Sequence, residues 1–207
     1  MIPLLFDLSD QRVLIFGGGA VAARKARAFT GRSRVTVVSR SFHPSLPSDV
    51  ERVEAELDAL ENDTLRSLCR GVFLVIAATS DITLNERVIQ AARSEGAHVN
   101  NAAGTPGDVQ LPAVSRGERY LVAVSTMGES PGMARFLRES IERAYPSLDH
   151  MIALQGRLRS ELRVRYGNQD ERSALLRQVL EDNEIWAALD HDEERAWELV
   201  EARYLHG

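Results

Sequence analysis

The sequence predicts an α/β protein: a parallel sheet domain with helices on both faces, then a strand-and-helix segment, then a small all-helical C-terminal domain. Three observations carry this expectation. Short apolar runs alternate with helix-period segments from Arg12 to Asn100. Several of those runs are apolar at every position rather than every second one, as strands buried on both faces must be. After Pro146 the strand signal stops.

The elements follow in order. Arg12–Phe16 is a short apolar strand that runs into Gly17-Gly18-Gly19, and Ala20–Phe29 reads as a helix rich in Ala and Arg. Arg34–Val38 is a β-branched strand, Val53 marks a short third strand, and Asp63–Cys69 a short helix. Val72–Ala78 is the clearest buried strand. Leu84, Val88, Ile89 and Ala92 fall near one face of a helix ending at Ser94, and Ala97–Asn100 is a fifth strand. Past Pro112 the pattern changes to one strand (Arg119–Ser125), a loop with Gly128 and Pro131, and a helix over Met133–Tyr145. His150–Arg165, Glu171–Glu181 and Glu193–Tyr204 read as helices, with Trp186 and Trp197 as packing anchors. The expected division is 1–112, 113–146 and 147–207.

Composition narrows the function classes. The 207 residues suffice for a packed core, and no stretch reaches the roughly 20 apolar residues of a membrane span. With no such stretch and no signal-peptide pattern, the expected location is cytoplasmic. One cysteine, Cys69, excludes an intrachain disulfide framework and a Cys-rich zinc site. The five histidines (43, 98, 150, 191 and 206) lack metal-ligand spacing, so no metal site is expected. His98 reads as a core histidine and Cys69 as buried packing. The net charge of −5 points away from nucleic acid and, taken alone, from any polyanion. It hides an uneven distribution: residues 1–45 are net +5, 46–112 net −6, 113–145 net +1 and 146–207 net −5. The cations are 24 Arg and a single Lys, Lys25.

Gly17-x-Gly19-x-x-Ala22, between a strand and a helix, is a dinucleotide-binding pattern. Gly17 permits the tight turn, Gly19 lets the backbone approach a pyrophosphate at the helix N-terminus, and Ala22 allows close helix–strand packing. No acidic residue ends the second strand to receive ribose hydroxyls. Ser39 and Ser41 offer hydroxyls there, while Arg40 is either a partner for a 2′-phosphate or a solvated arginine. These residues leave NAD and NADP open. Ala78 and Thr79 end the fourth strand, where small residues let a cofactor lie close to the backbone; Thr79 or Asp81 is equally a helix cap.

Taken together, the motifs resemble the precorrin-2 dehydrogenase/sirohydrochlorin ferrochelatase family, which includes the N-terminal module of siroheme synthase. Pro3–Leu8, Gly17–Ala26, Ile76–Asp81 with Asn85, Leu111–Ala113 and Val122–Arg135 carry the likeness in that order, over residues 1 to about 145. The resemblance implies a Rossmann-like domain, a dimerisation segment and a helical domain in an intertwined homodimer. It implies NAD rather than NADP, with Ala20, Val21, Arg40 and Ser41 at cofactor positions, and oxidation of the tetrapyrrole precorrin-2 to sirohydrochlorin. Candidate contacts for the substrate carboxylates are Ser125, Thr126 and Ser130, just before a helix start, with Arg135 and Arg138 in its first turns. Ser130 is also a good N-cap ahead of Pro131, and Arg138 a partner for Glu142 at i+4. The sequence departs from the family at one point. The aspartate after the fifth strand falls on Ala102 or Ala103, neither of which moves a proton. Asn100, Asn101 and Asp108 are the nearest substitutes, and ferrochelatase activity is in doubt. The rival expectation is a non-catalytic module that senses dinucleotide or carries a tetrapyrrole.

Overall fold

The computed structural model describes residues 1–205, so the expectation for His206 lies outside the described residues. The chain divides into two compact units, Met1–Leu111 and Pro112–Gly207.

In the first unit five strands form one parallel sheet: β1 (Arg12–Phe16), β2 (Arg34–Ser39), β3 (Glu51–Glu54), β4 (Leu74–Ala77) and β5 (His98–Asn101), in the order β3-β2-β1-β4-β5. The helices are α1 (Ala20–Arg27), α2 (Asn62–Cys69) and α3 (Ile82–Ser94). Alternate side chains of β1, β2 and β4 feed two separate cores, while β3 and β5 contribute to one of them. Val13, Ile15, Val37 and Ile76 pack with Ala22, Ala23 and Ala26 of α1. Leu14, Phe16, Val75 and Val99 pack with Leu65 and Cys69 of α2 and with Val88 and Ile89 of α3. Both faces are covered, which is why the central strands are apolar at nearly every position. Burial pushes the Cys69 thiol up to about 12, so it packs as a small apolar group and forms little thiolate.

The register sets up a site. Phe16 pairs with Val38 and with Ala77, and Ala77 pairs with Asn101. Four strands therefore end in one row, and Gly17, Ser39, Ala78 and Ala102 sit at or just beyond it. The order reverses at β1, and ligands of open parallel sheets bind outside the carboxyl ends at such a point.

The second unit opens with an antiparallel hairpin, β6 (Ala113–Arg116) and β7 (Leu121–Val124), followed by α4 (Pro131–Ala144). Then come α5 (Leu148–Arg165), α6 (Gln169–Glu181), α7 (Asn183–Leu189) and α8 (Glu193–Val200), the last continued by a wider turn to Leu205. Met151, Leu154, Leu158 and Leu162 form one stripe of α5 and pack against Val179, Ile185, Leu189 and Val200. Trp197 joins that core, with the Arg157 guanidinium 3.8 Å from its ring centroid. Trp186 is half-buried, and its indole N–H donates to the Leu180 carbonyl. Two elements escape the sequence reading. β6 has a single large apolar residue, Val114, and is defined by its pairing with β7. α7 is too short for a period and is set by its cap: the Asp182 carboxylate accepts from the N–H groups of Glu184 and Ile185. Among the described residues no helix is long and apolar enough to cross a membrane.

Candidate functional site

The residues proposed from sequence for the cofactor converge. Gly17, Gly19, Ala20, Val21, Ser39, Arg40, Ser41, Ala78 and Thr79 all line one cleft of about 580 Å³ at the carboxyl edge of the sheet. Its floor is backbone, for reasons the three glycines make plain. Gly17 has φ +106° and donates to the Val38 carbonyl; a Cβ there would lie 2.5 Å from the Ala78 carbonyl oxygen. At Gly18 a Cβ would lie 1.9 Å from the Ser41 carbonyl oxygen, so the loop after β2 closes directly on the glycine backbone. At Gly19 a Cβ would meet nothing within 4 Å. The first two glycines are dictated by the protein's own packing. The third is not, and its bare face opens on the cleft. Sequence reasoning singled out Gly17 and Gly19 and missed Gly18, whose constraint comes from a loop more than twenty residues away.

Gly19 is the N-cap of α1 and supplies no side-chain cap, so the first amides of the helix are left for a ligand. No acidic residue occupies the first turn, which keeps the positive end of the helix dipole uncancelled. This open cradle fits a dinucleotide pyrophosphate. Two acids missed by the sequence reading, Glu56 and Asp58, also line the cleft. They follow β3, not β2, so the usual position rule passes over them. Arg40 and Glu56 approach to 4.0 Å while both remain mostly exposed, a weak pair. Ser39 is buried beside Gly18, leaving Ser41 as the exposed hydroxyl. Thr79 is committed: its Oγ1 lies 2.7 Å from Asn85 Oδ1 and also accepts from the Asp81 N–H. Asn85 is fully buried, and its amide donates back to the Thr79 carbonyl. Of the two capping candidates the cap is Asp81, which accepts from Thr83 and Leu84.

The substitutes considered for the missing aspartate are each held in hydrogen bonds. Asn100 is buried, accepts from Lys25 Nζ at 2.6 Å and donates to the Val109 carbonyl at 2.7 Å. Burial and then Arg24 lower the pKa of Lys25. Asp108 turns to the start of β5, where it bonds the Val99 N–H (2.8 Å) and His98 Nδ1 (3.0 Å). Burial raises its pKa, but those hydrogen bonds outweigh it and hold the carboxyl below its usual range. His98, expected in the core, is exposed, because β5 starts one residue later than expected and His98 is its first residue. Ala102 and Ala103 lie exposed in a loop that a residue of α3 holds. Glu86 Oε1 accepts from the Thr105 N–H at 3.0 Å and lies 3.5 Å from Asn101 Nδ2. Asn101 in turn donates to the Thr105 carbonyl and accepts from the Ala103 N–H. The sequence reading missed Glu86, since its helix spacing looks like an ordinary surface position.

In the second unit Ser125, Thr126 and Ser130 lie in one turn ahead of α4. Ser130 Oγ accepts from the Met133 N–H, and Thr126 Oγ1 both donates to and accepts from the Ser130 backbone. Met127 at φ +56° and Gly128 at φ +92° shape that turn. Arg135 is bonded by Glu139 at 2.7 Å, and Arg138 by Glu139 and Glu142 at 2.8 Å. Both arginines are paired on their own helix.

A parallel sheet in this order with a bare glycine loop over its reversal point defines a Rossmann-type dinucleotide-binding protein. In agreement, a family described as "Putative NAD(P)-binding" matches residues 4–113. The chain is 36% identical over 203 residues to precorrin-2 dehydrogenase of Methanosarcina barkeri, covering 95% of this chain and 90% of that protein. It therefore belongs to the precorrin-2 dehydrogenase family. It is also 32% identical over 198 residues to siroheme synthase of Salmonella typhi, covering 94% of this chain and 43% of that longer protein. The solved structure of SirC, precorrin-2 dehydrogenase, superposes with a TM-score of 0.70 over 98% of this chain and 100% of that one, at 23% identity, which bears on the fold.

Proposed function

We propose that this chain is an NAD-dependent dehydrogenase that oxidises precorrin-2 to sirohydrochlorin in siroheme biosynthesis. The observation that carries the reading is Gly19: a bare helix-capping glycine that nothing in the protein requires, opening on a cleft at the sheet's reversal point. When bound there, NAD⁺ supplies a hydride acceptor. The chain's own work is binding and orientation. The amides that open α1 hold the pyrophosphate, the Ala78 carbonyl and Thr79 wall the cleft, and Asn85 fixes Thr79 from below. Glu56 and Asp58 favour NAD over NADP. They accept hydrogen bonds from ribose hydroxyls and repel a 2′-phosphate, and Glu56 competes for Arg40. Glu86 acts as a positioning residue for the loop that carries Ala102 and Ala103.

The turn of Ser125, Thr126 and Ser130 at the start of α4 is the proposed contact for substrate carboxylates, with Arg135 and Arg138 reinforcing it through exchange of their glutamate partners. Residues 113–146 are proposed as the dimerisation segment and 147–207 as the helical domain. In support, only Ala134 is buried on α4, while Met133, Phe136 and Leu137 are exposed. Light scattering is expected to give a homodimer, and a stable monomer would contradict it. The site of action is inferred to be the cytoplasm. Ferrous insertion needs an acceptor for the pyrrole protons, and Ala102 and Ala103 provide none, so iron is not assigned as a substrate. Those alanines also favour a second reading, a dinucleotide or tetrapyrrole carrier without turnover. Incubation with precorrin-2 and NAD⁺ separates the two: NADH and sirohydrochlorin absorbance support the dehydrogenase, and tight binding without either supports the carrier.

A further inference from the structure

The helical part of the chain has a second concave surface with its own chemistry. A groove of about 600 Å³ runs between α5 and α6, within the size range of small-molecule sites. Ile152 and Leu162 of α5 and Leu176 of α6 give it an apolar floor, and Arg159, Arg163 and Arg172 stand around it.

Three observations set this groove apart from an ordinary solvated helix face. The first is charge: residues 146–207 carry 13 acidic and 8 basic side chains, yet the groove is lined by three arginines and no acid. The second is pairing. Arg165, Arg195 and Arg203 of the same unit are bound to acids, whereas Arg159 and Arg163, like Arg177 outside the groove, have no acid partner among the described residues, and the groove gathers two of these three unpaired cations. Arg172 is aimed: its Nη1 donates to the carbonyls of Tyr166 (2.7 Å) and Gly167 (2.9 Å), which leaves the rest of the guanidinium free. The third is Gly156. It interrupts an 18-residue helix, where glycine is costly relative to alanine, and a Cβ there would meet nothing within 4 Å. Helical Gly132 also faces open space, but Gly156 alone of the two lies on the wall of a groove, where it leaves bare backbone for a ligand to lie against.

We propose that the α5–α6 groove binds an amphipathic polycarboxylate, its apolar body over Gly156 and the leucines and its carboxylates on Arg159, Arg163 and Arg172. A tetrapyrrole acid is such a molecule, and to that extent the assignment rests on the function proposed above. Inorganic phosphate would satisfy the arginines alone and leave the apolar floor and Gly156 without a role.

Full-length protein is titrated with sirohydrochlorin, tryptophan fluorescence is fitted to two sites, the turn before α4 and the groove, and the affinity of the second is compared between variants. The R159E/R163E double variant and Gly156→Leu are each expected to weaken binding by about tenfold or more, with helical content unchanged. Arg177→Glu, an exposed α6 position outside the groove, is expected to bind as wild type. Equal affinity in wild type, the double variant and Gly156→Leu overturns the proposal. Displacement of the probe by millimolar inorganic phosphate at matched ionic strength overturns its amphipathic part. A protein that lacks dehydrogenase turnover but still loses sirohydrochlorin binding in these variants refutes the enzymatic reading and keeps the groove.

Discussion

Gly19 and Gly156 are alike in one respect: at both, a side chain would enter open space. They differ in how they can be found. Gly19 sits in a three-glycine turn between a strand and a helix, and its purpose can be read from the six consecutive residues Gly17–Ala22. Gly156 sits alone in a helix, and the arginines that give it meaning come from α5 and, across a turn, from α6. A site built on one turn is written locally, whereas a site built on a helix pair exists only after packing.

The sharpest way to break this comparison is to test whether the two regions stand independently. Leu158 is fully buried among the helices. Leu158→Ala is expected to cost about 2–5 kcal/mol in the unfolding of the second unit, with NAD affinity unchanged in isothermal titration. A matched loss of NAD binding would show one cooperative whole. The next effect separates the glycines of the turn. Gly18→Ala drives a methyl into the Ser41 carbonyl and is expected to destabilise the first unit by about 2–4 kcal/mol. Gly19→Val is expected to lower Tm little, yet weaken NAD binding by about tenfold or more. Equal thermal losses in both would mean that the space beside Gly19 is structural.

Smaller effects refine the cleft. Glu56→Gln with Asp58→Asn is expected to reduce the preference for NAD over NADP by about tenfold, roughly 1.4 kcal/mol, measured as the ratio of the two dissociation constants. Asp108 gives a pH signature. Its carboxyl is depressed in the folded state, so its contribution is fully present above the ordinary value of 3.8 and is lost as pH falls through the depressed one. The stability difference between wild type and Asp108→Asn is therefore expected to shrink in acid, and a constant difference would show that the His98 and Val99 bonds contribute no linkage.

The parallel five-strand sheet was legible because the strands announce themselves: β1, β2 and β4 are apolar on both faces, and the connecting helices carry clear stripes; the order of the strands was not read from the sequence. β6 was not, since four residues with one large apolar side chain become a strand only when β7 lies beside them. Within the site, the residues given by contiguous motifs came together in one cleft. Gly18, Glu56 and Glu86 did not show, because each acts on a segment remote in sequence: the Ser41 carbonyl, Arg40 and the Asn101–Thr105 loop; Asp58 did not show because it reaches the cleft from the segment after β3, where no motif marks it. Arg138 shows the opposite case, in which the plain local reading, a pair with Glu142 at i+4, is the pairing seen; Arg135 pairs with Glu139 at the same spacing, which the sequence reading did not single out.

The central claim is that the bare glycine turn holds NAD for oxidation of a tetrapyrrole by this chain. The direct measurement is anaerobic turnover of precorrin-2 with NAD⁺ by wild type and Gly19→Val, recording NADH and sirohydrochlorin together. The account predicts equal amounts of both products from wild type and a KM for NAD⁺ raised about tenfold or more in the variant. No NADH from folded wild-type protein, or the same KM in both, would contradict it.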